Sequence, residues 1–91
     1  MNPGTAYPFP ARLTHAEAMR ALVELKAALS SGVRVVDLSG LAEFDSSALA
    51  VLLAARRACT EEGVPRFVNV PDKLSRLAGL YGLESLVFAH P

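Results

Sequence analysis

The sequence predicts a small α/β domain in which helices pack against a mixed, mainly parallel β-sheet. Segments of helical periodicity alternate with short β-branched segments, and such alternation implies crossover connections between parallel strands. The 91 residues are 52% hydrophobic with zero formal net charge, which suits one packed core. We therefore expect one domain over residues 12–91, preceded by a loose segment over residues 1–11.

The first half of the chain predicts one helix and one buried strand after a proline-broken start. Three prolines among the first ten residues leave room for one short edge strand at best, because proline donates no ladder hydrogen bond. Thr14 and Glu17 form a capping-box pattern, which predicts a helix that opens at Thr14 and ends near Gly32. The segment "VRVVDL", residues 33–38, predicts a strand buried on both faces, and "SGLAEF" predicts a loop.

The second half predicts two more helices around a second strand. One helix is expected from about Ser46 to Glu62, because Gly63 interrupts the pattern. The segment "RFVNV" then predicts a strand, and "PDKLSRLAGLYG" predicts a helix. We expect "SLVFA", near the carboxyl terminus, to form a last short strand.

The stretch "EFDSSALAVLLAARR" places a polar cluster directly before an apolar run. Helical geometry groups Leu49, Leu52 and Leu53 on one side, which we expect to face the sheet. Ala50 and Val51 then point largely away from it. Two interpretations of this apolar outer side remain open: either a partner protein covers it, or alanine is simply a good helix former on a surface.

The cluster Asp45-Ser46-Ser47 sits where a helix leaves unpaired amides and a partial positive charge. An ordinary helix cap explains it, but a phosphoserine or a hydrogen bond to a partner would also be stabilised there. A catalytic serine is disfavoured, because the nucleophile-elbow glycines are absent and the only histidines are His15 and His90. We expect no enzymatic activity.

Other kinds of site find little support in the sequence. Asp37, Glu43 and Asp45 could hold Mg²⁺ at a sheet edge, but neither a phosphate loop nor a matching lysine accompanies them. Asp37 is better explained as a side chain that fixes the following loop. We expect no metal and no cofactor, and the scattered basic residues predict no nucleic-acid binding.

Cysteine content and hydropathy predict a cytoplasmic location. A single cysteine allows no internal disulfide. The longest apolar run is far shorter than the roughly 20 residues of a membrane span, which predicts no direct insertion into a bilayer.

The run "VRVVDLSGLAEFDSSALAVLLAARRACTEEG" resembles the core of a STAS domain, and "RFVNVPDKLSRLAGLYGLESLV" is similar to the rest of that fold. Within the family, the chain is most similar to the STAS subunit of the Mla phospholipid-transport ABC system. Anti-sigma factor antagonists usually carry glycine where this chain has Ala48. The resemblance implies a small sheet covered by helices and a role in binding proteins.

The Mla resemblance implies a non-catalytic subunit that binds and supports the cytoplasmic ATPase of a phospholipid transporter, together with its permease, in maintaining outer-membrane lipid asymmetry. The partner interface would comprise Asp45, Ser46, Ser47, Ala48 and Val51. The protein would lie in the cytoplasm, peripheral to the inner membrane through its partner. The alternative is an anti-sigma factor antagonist regulated by phosphorylation at Ser46, and homodimerisation of the isolated chain stays open.

Overall fold

A computed structural model describes residues 6–59 and 65–88 of the chain. Strands and helices alternate as the sequence predicts, so the α/β fold class is confirmed. The elements in chain order are β1 (Tyr7–Pro8), β2 (Arg12–Leu13), α1 (Ala18–Ser30), β3 (Val35–Asp37), β4 (Glu43–Phe44), α2 (Ser46–Ala58), β5 (Arg66–Val68), α3 (Asp72–Leu80) and α4 (Glu84–Val87).

The strands form two small sheets in which each described pairing is parallel. The central strand β3 lies between β1 and β5, while β2 pairs with β4. One extended segment at the start of the chain supplies β1 to the first sheet and β2 to the second. Pro10 lies between these strands, and the pairing partner changes there because β3 ends at Asp37 and β4 begins only at Glu43.

The amino-terminal segment belongs to the fold from Tyr7 onward, so the expected domain boundary at residue 12 is too late. Tyr7 and Pro8 pair with β3, and the Phe9 amide donates to the Asp37 carbonyl at 2.9 Å. The Phe9 side chain is buried in the core. Pro8 is tolerated because β1 is an edge strand and alternate residues point away from the ladder.

The first helix begins later than predicted, at Ala18, after a hydrogen-bonded turn over residues 14–17. Only half of the capping box forms. The Glu17 carboxylate accepts from the Thr14 amide, but the Thr14 hydroxyl also donates to that carboxylate instead of capping the helix. At the other end Gly32 has a positive φ of 112°, as expected for the residue that ends the helix.

Two further corrections concern short segments. The predicted loop "SGLAEF" contains β4. The predicted last strand "SLVFA" forms the helix α4 instead, within its described residues, which end at Phe88. Helical hydrogen bonds of 2.9 Å join Val87 to the Leu83 carbonyl and Phe88 to the Glu84 carbonyl. An apolar run of four or five residues has too little periodicity to distinguish a strand from a buried helical turn.

The helix α2 is buried over most of its circumference because it packs against α1, α3 and α4. The expected burial of Leu49 and Leu52 is confirmed. The prediction that Val51 points outward is wrong, since its side chain is 3% exposed, and Ala48 of the predicted interface is 0% exposed. The sequence predicts that α2 faces a sheet, whereas three helices cover it. No helix within residues 6–59 and 65–88 combines the length and apolar character needed to cross a bilayer.

The central position of α2 makes Leu52 a sensitive test of the core. Leu52→Ala should lower the free energy of unfolding by about 2–5 kcal/mol, because the side chain is fully buried and its removal leaves a cavity. Urea unfolding followed by circular dichroism measures this. The matched control Leu80→Ala removes an 82% exposed leucine and should change stability by no more than about 0.5 kcal/mol. Equal losses in both variants would contradict the burial of Leu52.

Candidate functional site

The polar cluster before α2 lies at the place where two strand-to-helix turns meet. Parallel pairing sets Arg12 beside Glu43 and Leu13 beside Phe44, so β2 and β4 end at the same edge. The turn that follows β2 leads to α1, and the turn that follows β4 leads to α2. The Asp45 amide donates to the Leu13 carbonyl at 3.4 Å and extends the pairing by one residue.

The Asp45 carboxylate binds both turns. Its Oδ1 accepts from the Ser47 amide at 2.8 Å, which caps α2 as predicted, and its Oδ2 accepts from the His15 amide at 3.1 Å. The Ser47 amide is the main reason that the pKa of the Asp45 carboxyl lies below its ordinary value, with a smaller contribution from His15. Asp45 therefore orders the turn and joins it to the segment preceding α1.

A second link between the turns is made by Arg12. Its Nε contacts Glu17 Oε2 at 3.1 Å, and its Nη1 contacts Glu43 Oε2 at 2.6 Å. Hydrogen bonds from Thr14, above all from its amide, lower the pKa of the Glu17 carboxyl. These groups are well exposed, so each ion pair adds little stability alone, but together they restrain the same two turns.

Ser46 is the exposed first residue of α2 and Ser47 is half-buried. Within the described residues, the Ser46 hydroxyl makes no hydrogen bond, so both its donor and its acceptor functions are available. The hydroxyl stands at the positively polarised end of a 13-residue helix. The arrangement can therefore accept a hydrogen bond from a ligand, donate one, or stabilise an added negative charge.

The residues that α2 presents beside Ser46 differ from the predicted interface. Ala50 and Arg57 are exposed and fall on the same line of the helix as Ser46, four and eleven residues after it. We call Ser46, Ala50 and Arg57 the α2 outer stripe. Ala48 and Val51 lie on the buried side and are not part of it. Sequence periodicity alone could have identified the α2 outer stripe if the helix had been oriented with its most polar positions toward solvent.

Asp37 serves a separate structural purpose, and its predicted role in fixing the loop is confirmed. Its Oδ1 accepts from Asn69 Nδ2 at 3.0 Å and from the Ser39 amide at 2.9 Å. The Asn69 side chain is the main reason that the pKa of Asp37 is lowered. Asn69 itself has a φ of 56°, a conformation that asparagine tolerates better than most residues. Across residues 6–59 and 65–88, no three histidine, cysteine, aspartate or glutamate side chains gather as metal ligands would.

Only one of the two histidines considered for catalysis lies among the described residues. His15 lies in the turn before α1, where its backbone amide binds Asp45, and His90 lies outside the described residues. No hydrogen bond within the described part of the chain joins a serine of the cluster to a histidine side chain.

Removal of the Asp45 cap should loosen both turns. Asp45→Ala leaves the Ser47 and His15 amides without their acceptor, so we expect the melting temperature to fall by about 5 °C. Differential scanning calorimetry measures the change. Ser46→Ala is the adjacent control, and it should stay within about 3 °C of the wild type because its hydroxyl makes no described hydrogen bond. A larger loss from Ser46→Ala than from Asp45→Ala would contradict this assignment.

Acid should selectively remove the contribution of Asp45. Because the folded pKa is lowered, the stabilisation is complete above about pH 4 and is lost as the pH falls through the still lower folded value. The stability of the wild type relative to Asp45→Asn, which keeps a capping oxygen but cannot titrate, should therefore decrease in acid. Urea unfolding midpoints measured in parallel from neutral pH downward test this. Asp37 and Glu17 titrate in both proteins, so a constant difference would exclude a lowered pKa at Asp45.

Comparison with known proteins identifies the family of the chain. A family model described as "Mlab, STAS domain" matches residues 11–88 of the chain. Significant matches were found neither among curated proteins nor among solved structures. The matched region spans well over half of the 91 residues and includes both strand-to-helix turns and α2. The resemblance noted in the sequence is thus confirmed at the level of the family, and the chain belongs to the STAS domain family.

Proposed function

We propose that this STAS protein is a non-catalytic interaction subunit that binds the cytoplasmic ATPase of a Mla-type phospholipid ABC transporter. The observation that carries the proposal is the exposed hydroxyl of Ser46, which makes no hydrogen bond within the described residues, at a firmly capped helix terminus. On this proposal the protein has no chemistry of its own and lies at the cytoplasmic side of the inner membrane through its partner. It would support the transporter's role in outer-membrane lipid asymmetry.

The geometry of the site supports protein binding because the contact group is already fixed in place. Asp45 holds the backbone of the turn from two sides, so Ser46 would lose little conformational freedom when a partner packs against it. Such preorganisation improves affinity without adding contact area. The α2 outer stripe continues the surface with small Ala50 and charged Arg57, which suits a close approach followed by a polar contact.

The family supports the same direction. The description of the matching family model includes "Mlab", and the sequence departs from the usual anti-sigma antagonist pattern at Ala48. Ala48 is fully buried, so a side chain at this position contributes to the packing of α2 in place of a flexible glycine. The partner surface that we propose comprises Asp45, Ser46 and Ser47 with the α2 outer stripe.

A subunit without catalytic groups can still change the turnover of its partner. It does so if it binds one conformation of the ATPase more tightly than another, because only differential affinity shifts a conformational equilibrium. A fixed helix terminus that contacts a moving domain can bind one position of that domain more tightly than another. This effect needs no chemistry at Ser46.

A second candidate function is a partner-switching regulator controlled by phosphorylation at Ser46. The same exposure makes the hydroxyl available to a kinase, and the helix terminus would stabilise the added phosphate. The nearby Asp45 carboxylate opposes such an anion, although its two hydrogen bonds direct much of its charge toward backbone amides. This candidate requires a modified Ser46, whereas transporter binding does not.

The proposal predicts that Ser46→Arg abolishes binding to the ATPase while the fold survives. The substitution adds bulk and charge at the centre of the proposed contact, which should weaken the affinity by about 100-fold or more. Binding of purified partners by calorimetry measures the loss, after a pull-down from cells of the source organism has identified the captured proteins by mass.

The matched control is Ser85→Arg, which makes the same change at an exposed serine on α4. This helix packs near the other end of α2, where Arg56 donates to the Val87 carbonyl at 2.7 Å. Ser85→Arg should bind like the wild type. Retained affinity in Ser46→Arg would show that the partner uses another face.

The two candidates give different results in the same pull-down. An ABC ATPase with its permease among the captured proteins supports the transporter proposal. A soluble kinase-like protein, together with a phosphate-sized mass increase on the peptide that contains Ser46, supports the switch. If the Ser46→Ala variant still regulated its partner fully, the candidate of a switch controlled by phosphorylation at Ser46 would be excluded.

A further inference from the structure

The helix α1 presents an apolar line of side chains to solvent. Met19 and Val23 are 76% and 64% exposed, and Ala27 is also exposed. Their spacing of four residues places them on one side of the helix, opposite the residues that α1 buries in the core. We call Met19, Val23 and Ala27 the α1 stripe. It is distinct from the α2 outer stripe, and the inference drawn from it does not depend on the proposed function.

Charges of opposite sign lie along one edge of the α1 stripe. Arg20 and Glu24 flank it on the same side, and Lys26 flanks it on the other. All three residues are exposed. Within the described residues neither Arg20 nor Glu24 forms a hydrogen bond or an ion pair with another side chain. One edge of the stripe therefore carries a positive and a negative group without an ion-pair partner in the described fold.

We propose that the α1 stripe is a self-association surface on which a second copy of this chain packs its own α1 in antiparallel orientation. A two-fold axis near Val23 places this residue against Val23 of the second copy. Met19 then lies opposite Ala27 of the second copy, so a large side chain meets a small one at both ends. The interface is isologous, and the same surface serves both partners.

The charges select both the occupant and the orientation. An antiparallel arrangement turns the same edge of both helices toward each other, which brings Arg20 within reach of Glu24 of the second copy and repeats the contact by symmetry. A parallel arrangement would turn this edge toward Lys26 and leave Arg20 without an acid. One edge of α1 is positive at Arg20 and negative at Glu24. A two-fold rotation therefore sets each charge against the opposite charge of the second copy, which favours a second copy over an unrelated protein.

The length of α1 limits the strength of the association. Its 13 residues extend for about 20 Å, and two such helices bury less than the roughly 1,200 Å² of a standard stable interface. We therefore expect a reversible dimer with a Kd on the order of 100 μM.

Sedimentation equilibrium of the purified full chain tests the proposal over a concentration range that brackets this value. Arg20→Glu and Glu24→Arg should each weaken self-association by about tenfold or more, because like charges then face each other. An equimolar mixture of the two variants should recover the dimer, since one protein then carries two acids on this edge and the other carries two arginines. The double variant, in which the two charges are exchanged, should also recover it. Misfolded chains would not show such rescue.

The matched control is Lys26→Glu, which makes the same kind of charge reversal on the same helix but at the opposite edge of the stripe. It should leave the Kd within about threefold of the wild type. Val23→Glu, at the proposed axis, should abolish the dimer.

Several results would overturn the proposal. One is a wild-type chain that stays monomeric at about 1 mM, ten times the expected Kd. Another is a dimer that Arg20→Glu and Val23→Glu leave intact, or that Lys26→Glu weakens equally. A monomeric wild type in which Val23→Glu reduces capture of a different protein would assign the surface to that protein instead.

Discussion

Parallel pairing of β2 with β4 is the constraint on which the rest of the structure depends. Each of these strands has only two residues, yet their register fixes where both following helices begin. Both helices start at the same edge and pack against each other. Their positively polarised amino termini are therefore neighbours, and the carboxylates of Asp45 and Glu17 supply negative charge at that edge. The proposed partner surface is a consequence of this arrangement, because Ser46 stands at one of the two termini.

The position of α2 among three other helices decides what kind of surface remains available. Burial of Ala48, Leu52 and Ala55 removes most of the helix from solvent, so only a narrow line and the first turn are left outside. A site built there must rely on a few small or polar groups and on accurate placement. Capping by Asp45 provides that placement, since its carboxylate binds the Ser47 amide at the start of α2 and the His15 amide of the neighbouring turn.

The sequence was sufficient for features that depend on local chemistry. The order of the three long helices, the strand β3 and the Asp45 cap follow from periodicity, β-branching and the polar cluster. The sequence was insufficient where contacts between residues far apart in the chain decide the structure. The strands β2 and β4 are too short to show periodicity and exist only because they pair with each other. Burial of Val51 depends on how other helices dock on α2, and α4 differs from a strand only through hydrogen bonds that a run of apolar residues does not encode.

The residue that stabilises the fold and the residue proposed to bind a partner differ in the hydrogen bonds that they make. Asp45 binds two backbone amides, so a change at Asp45 alters both the fold and the surface. Ser46 makes no hydrogen bond within the described residues, so a change there should have little effect on folding. A domain of this size has little stability in excess, and the proposed contact residue Ser46 can change with little loss of that stability. Adjacent residues thus differ in what they do: Asp45 holds the helix terminus in place, and Ser46 beside it is the proposed recognition group.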